Sequence, residues 1–109
     1  MKVTKAPGLM KYPYTIEATE EEFRAIRNAI LEESNQGYSI LKAETCMECD
    51  GRTERVVLGR MMTRLGAQYV TWESLATENG EFDYYWGHYF DDYGDALHDY
   101  YKRLMERFE

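Results

Sequence analysis

The dipeptide Asn79-Gly80 is the feature that most limits what this chain can become. Asn-Gly readily supplies positive φ at both centres of a tight turn, the geometry that folds one strand back beside another. It stands between two runs rich in β-formers, Gln68 to Leu75 and Phe82 to Phe90, and so predicts a hairpin over 67–90. With Asn79-Gly80 as the whole loop, Thr77 falls opposite Phe82, Leu75 opposite Tyr84, Glu73 opposite Trp86 and Trp72 opposite Gly87. A large ring opposite a strand glycine has room, which favours that register. One side of the second strand then shows Phe82, Tyr84, Trp86, His88 and Phe90; the other shows Asp83, Tyr85, Gly87 and Tyr89. Neither side is polar throughout, so both faces should be covered, by a helix or by a partner.

Helical patterns surround the hairpin. Thr19 followed by Glu22 has capping-box spacing, Glu20 to Glu22 suit the positive end of a helix, and Phe23, Ile26 and Ile30 recur at helical spacing beside Ala29. A helix is predicted over about 20–34, stopped by Asn35-Gln36-Gly37. Tyr38 to Cys46 reads as a strand or a helix, and Asp50-Gly51 marks a turn. Val57, Leu58, Met61, Met62 and Leu65 then recur at spacings of three and four, which predicts a helix over about 53–65 ended by Gly66, with a strand as the alternative. Over 92–108, Tyr93, Ala96, Leu97, Tyr100, Tyr101, Leu104, Met105 and Phe108 form one apolar stripe. Asp92, Asp95, Asp99, Lys102 and Glu106 take its polar side, and Asp91 or Asp92 suits the N-cap. Trp86, Phe90, Tyr93, Leu97, Tyr100 and Leu104 read as core.

The expected fold class is therefore α+β: a small antiparallel sheet built on the C-terminal hairpin and packed by two or three helices. Residues 1–11, with Pro7-Gly8, read as a flexible arm, and Tyr12 to Ala18 as a short strand. Residues 12–109 form a single domain, as suits a chain of 109 residues. No apolar run approaches the roughly 18 residues of a membrane helix, and two cysteines cannot build a disulfide framework, which points to the cytoplasm.

Charge is distributed unevenly. The net charge is −7, and residues 1–72 hold ten acids and ten bases. All of the excess lies in residues 73–109; between Leu65 and Tyr101 there is no Lys or Arg, yet there are eight carboxylates and eleven of the sixteen aromatics. A field of one sign argues against direct binding of nucleic acid, which wants a basic patch, and in favour of a basic partner. The plain alternative is a surface charged for solubility.

Cys46-Met47-Glu48-Cys49 resembles half of a zinc knuckle, but zinc needs further ligands. His88 and His98 are ten residues apart rather than three to five, so two reduced cysteines are the better reading and no cofactor is expected. Glu44 and Glu48 would raise a thiol pKa, against redox use. His88 and His98 with nearby aspartates are the residues an enzyme or metal site would use; no phosphate-cradling loop, GxSxG, HExxH or EF-hand spacing supports one.

What remains is acid interleaved with aromatics, EFDYYWGHYFDDYGDALHDYY. In composition and size, residues 69–101 resemble the small acidic antirestriction and anti-CRISPR inhibitors of phages and mobile elements, some of which mimic DNA. That resemblance implies a non-enzymatic inhibitor occupying the nucleic-acid site of a basic protein, and it carries over no individual residue. The residues expected to meet such a partner are Glu81, Asp83, Tyr85, Tyr89, Asp91, Asp92, Asp95 and Asp99. A homodimer closed by the second aromatic sheet face is the alternative.

Overall fold

A computed structural model describes residues 1–5, 12, 14–29, 31–49, 52–77 and 79–107. In chain order these form β1 (Lys2–Lys5), β2 (Tyr14–Glu17), α1 (Glu20–Asn28), β3 (Ser34–Asn35), β4 (Tyr38–Cys49), β5 (Arg52–Thr63), β6 (Gly66–Ala76), β7 (Phe82–Phe90) and α2 (Tyr93–Arg107). β1 and β2 pair antiparallel by themselves, while β3 to β7 follow one another in a curled antiparallel half-barrel. The protein is thus mostly β, which corrects the expected α+β arrangement of one hairpin packed by two or three helices.

The largest correction is at 53–65, where the expected helix is the central strand β5. Val56 to Gly59 are four consecutive buried residues, a pattern of a strand covered on both faces rather than of a one-sided helix. Val56 and Leu58 join the core under α2, whereas Val57 faces a second cluster with Tyr38, Ile40, Val70 and Trp72. Met62 and Leu65, which completed the helical pattern, are exposed. Gly66 starts β6 instead of ending a helix.

α1 begins as expected. Thr19 Oγ1 accepts the Glu22 N–H and the Glu22 carboxylate accepts the Thr19 N–H, each at 3.1 Å. It ends at Asn28 rather than near 34, because the following segment pairs with β4. Leu31 N–H donates to the Ile40 carbonyl at 2.8 Å, and Ile40 N–H to the Glu33 carbonyl at 3.0 Å. Gln36 and Gly37, expected to stop a helix, have φ of 52° and 87° and form the two-residue turn between β3 and β4. Lys2–Lys5, inside the stretch read as an arm, pairs with β2, and the Met1 amino group lies 2.7 Å from Glu22. Residues 6–11, Pro13, Ile30, the Asp50-Gly51 turn and Phe108 lie outside the described residues.

α2 matches the helix expected over 92–108 and lies across one face of the sheet. Leu97, Tyr100, Tyr101 and Leu104 pack there on Leu41, Val56, Leu58 and Tyr69, with Ile26 of α1. The opposite face carries the second cluster. The rings of Tyr38, Trp72, Tyr84 and Tyr89 meet with centroids 5.5–6.5 Å apart over Ile40, Val57 and Val70. No helix residue joins that cluster among the described residues, and Tyr89 within it is 59% exposed; a polar clasp lies beside it. In that clasp Arg55 donates to both Glu33 oxygens, at 3.0 and 2.8 Å, and stands 3.5 Å from the Phe82 ring centroid. The Tyr84 hydroxyl also donates to Glu33.

The hairpin β6–β7 is present, but its loop spans 77–81, with Asn79-Gly80 inside it. Near the loop Ala76 faces Phe82, Ser74 faces Tyr84 and Glu73 faces Tyr85; farther on, Thr71 faces His88, Val70 faces Tyr89 and Tyr69 faces Phe90. The two stretches differ by one residue, because Trp86 and Gly87 together stand opposite Trp72. This is a β-bulge. The expected register holds beyond it and is shifted by one before it, so the two face sets read along β7 exchange members at Trp86. A Cβ built on Gly87 would lie 2.8 Å from Trp72 Nε1 and 2.9 Å from the Tyr89 hydroxyl, so the close approach expected of Trp72 and Gly87 is present.

Candidate functional site

The bulge sets the side chains of the acidic, aromatic half of the chain. Trp86 has φ of 56°, in the left-handed region that a bulky residue seldom occupies. Its indole, expected in the core, is 68% exposed, and Tyr89 is 59% exposed. Tyr85 is half-buried, with its ring 5.7 Å from the indole at 68°. Burial raises the Tyr85 phenol pKa, helped by the charges of Asp83, Glu54 and Glu73 and opposed by Arg107. The ring therefore lies in a net negative field.

Behind Trp86 the strand is tied to α2 by an ion network. Arg103, 8% exposed, donates to the Trp86 carbonyl and to Asp99 Oδ2 (3.3 Å), with Glu73 3.6 Å away. Asp99 also accepts from the Thr71 hydroxyl, and His88 Nδ1 stands 2.9 Å from the same carboxylate oxygen. Burial by itself would raise the Asp99 pKa; hydrogen bonds from Thr71 and His88 and the charge of Arg103 outweigh it and hold the carboxyl below its ordinary value. Arg107 reaches Glu73 at 2.7 Å and Glu54 at 3.2 Å. The hydrogen bond to Glu73 raises the Arg107 pKa above its usual value.

The residues expected to meet a partner therefore divide. Glu81, Asp83, Asp91 and Asp92 are exposed around β7 and its junction with α2. Asp92 also caps α2, accepting the Asp95 N–H at 2.9 Å. Asp95 accepts from the Tyr12 hydroxyl, and Asp99 is occupied within the fold. Of the acids on the polar side of α2, Asp92 and Glu106 are exposed, whereas Asp95 and Asp99 between them are taken up within the fold. Sequence reasoning missed Trp86 as a surface residue and missed Arg103, Arg107, Glu73 and Thr71 as the framework behind it. The Asp99–Arg103 spacing of four on one helix was the available signal.

Of the metal candidates, the side chains of Cys46, His88 and His98 are described, and each has its own surroundings. Cys46 is half-buried on β4, where burial first and then Glu54 and Glu44 raise its thiol pKa against the pull of Arg107. The Cys49 side chain lies outside the described part of the structure. His88 faces Asp99, and His98 stacks on Tyr12 at 3.8 Å. Among the described residues no three His, Cys, Asp or Glu side chains group as metal ligands would. No helix there is long and apolar enough to cross a membrane.

Concavities border α2 on the described surface. One, of about 330 Å³, lies beside Trp86 and is lined also by Glu73, His88, Arg103, Glu106 and Arg107. Another, of about 350 Å³, lies between the helices, with Phe23, Arg24, Arg27, Tyr93 and Leu97 among its walls. Comparison with protein-family models, with curated proteins and with solved structures finds no significant match to this chain.

Proposed function

We propose that this protein is a non-enzymatic, acidic protein-binding module that engages a basic partner through β7 and the start of α2. The observation that carries this reading is the exposed Trp86 on the α2 side of β7, with the exposed carboxylates Glu81, Asp83, Asp91 and Asp92 before, along and after the same strand. Carboxylates at the rim favour encounter with a cationic surface, and Trp and Tyr are enriched among the residues that dominate binding energy. Where the partner is a nucleic-acid-binding protein, occupancy of its basic surface makes this chain an inhibitor. That inhibition rests on this patch and not on a DNA-like row along α2, since Asp95 and Asp99 are engaged internally. The reading sets the protein in the cytoplasm, where thiols such as Cys46 stay reduced.

Calorimetric titration with an arginine- and lysine-rich peptide tests this reading. The wild type binds, affinity falls as salt rises, and joint replacement Glu81→Gln, Asp83→Asn, Asp91→Asn and Asp92→Asn weakens binding at least tenfold. Asparagine at 92 keeps the helix cap. Unchanged affinity in that variant, or equal binding to duplex DNA, overturns it.

A further inference from the structure

We infer that Trp86 is the anchor of this surface and receives an arginine side chain of the basic partner on its exposed indole face. The inference rests on the binding-module reading and names the chemistry recognised at its centre.

Recognition by side chains, rather than by addition of a strand to the β7 edge, follows from the bulge. β7 is the last strand of its sheet, and a free edge offers a ladder of backbone groups. Here that ladder is interrupted twice at one residue. Trp86 and Gly87 shift the register, and the Trp86 carbonyl is already bonded to Arg103. What the interruption presents outward is a ring. Trp86 alone in β7 has positive φ, and its indole is the most exposed large aromatic of the described chain.

The surroundings select a cation for that ring. Both arginines in the adjoining concavity are committed: Arg103 to Asp99, Glu73 and the Trp86 carbonyl, Arg107 to Glu73 and Glu54. Glu106 on the same wall is exposed, its contact with Lys102 a loose 4.0 Å. Asp83 lies exposed on the Tyr85 side. An indole face attracts a cation through its quadrupole, and a guanidinium also stacks flat on it. The same cation then meets Glu106 or Asp83 at the ring edge, and Tyr85 stands as a second aromatic wall.

Fluorescence separates this from general acidity. Trp72 is 3% exposed and Trp86 68%, so a ligand on the surface alters Trp86 emission first. The probes are an arginine-rich peptide and the same peptide with citrulline, an uncharged isostere, in place of arginine. The arginine peptide is expected to change the emission and the citrulline peptide to leave it unchanged. Trp86→Gly should weaken binding of the arginine peptide about tenfold, the scale of a cation–π contact assisted by a carboxylate, and Trp86→Phe should weaken it less. Equal binding by Trp86→Gly, or equal response to citrulline, overturns the inference. If Trp86→Gly binds normally while neutralising Glu81, Asp83, Asp91 and Asp92 abolishes binding, the anchor is wrong and the binding-module reading stands. If the wild type binds neither peptide, both fall.

Discussion

Replacing Trp86 by glycine and by alanine tests whether the bulge holds an unfavourable backbone in order to present a ring. Both variants lose the same indole contacts, so their difference isolates the backbone. Alanine keeps a Cβ at φ of 56°, a conformation that costs an L-residue about 1–2 kcal/mol. Glycine avoids that cost but has a freer unfolded chain, worth about 0.4–1 kcal/mol against it. The glycine variant should therefore be the more stable by about 0.5–1 kcal/mol. At an ordinary strand position the order is reversed, with glycine weaker by about 0.5–1 kcal/mol. Urea unfolding reads the difference cleanly, because buried Trp72 is the one tryptophan left in either variant. With a slope of about 1–3 kcal/mol per molar, the midpoints should differ by roughly 0.2–1 M. An alanine variant as stable as the glycine variant, or more so, refutes the left-handed assignment and the argument built on it.

Asp99→Ala should cost about 3 kcal/mol by leaving Arg103 and the Thr71 hydroxyl facing an emptied site, measured by the same unfolding. Arg55→Met should lower the melting temperature by several degrees through loss of the Glu33 pair, while Lys102→Met, on an exposed and long contact, should change it little. Glu33 is held below its ordinary 4.5, mainly by the hydrogen bond from Arg55 and against burial, and Asp99 below its ordinary 3.8. Their stabilisation is complete above those values and is lost as pH falls through the lower folded-state values. Acid titration of stability should thus drop below about pH 4 in the wild type and less steeply in Glu33→Gln, which starts from a lower plateau.

The readable parts of the fold were those where one local rule acted alone. Thr19 and Glu22 name a helix start because both capping bonds are made within four residues. α2 was legible because its apolar stripe meets a single surface. β5 was not, since a strand buried on both sides loses its alternation, and Val57, Leu58, Met61, Met62 and Leu65 mimic a helical stripe although two of them are solvated. α1 stopped early because the backbone bonds from Leu31 N–H to the Ile40 carbonyl and from Ile40 N–H to the Glu33 carbonyl leave no mark in local sequence. The site was half legible. Charge pointed to the hairpin and α2 for the candidate site, but the bulge at Trp86-Gly87 reversed the facing of the residues before it. A glycine inside a strand signals a bulge as well as room for a ring, and here it means both.

We propose the acid-flanked indole of Trp86 on β7 as the binding surface. Amide chemical-shift mapping during titration with the arginine-rich peptide tests it most directly. Perturbations should concentrate from Glu81 to Asp92 and at Glu106, and collapse in Trp86→Gly. Perturbations concentrated instead around Phe23, Arg24 and Leu97, or spread evenly over the surface, would contradict it.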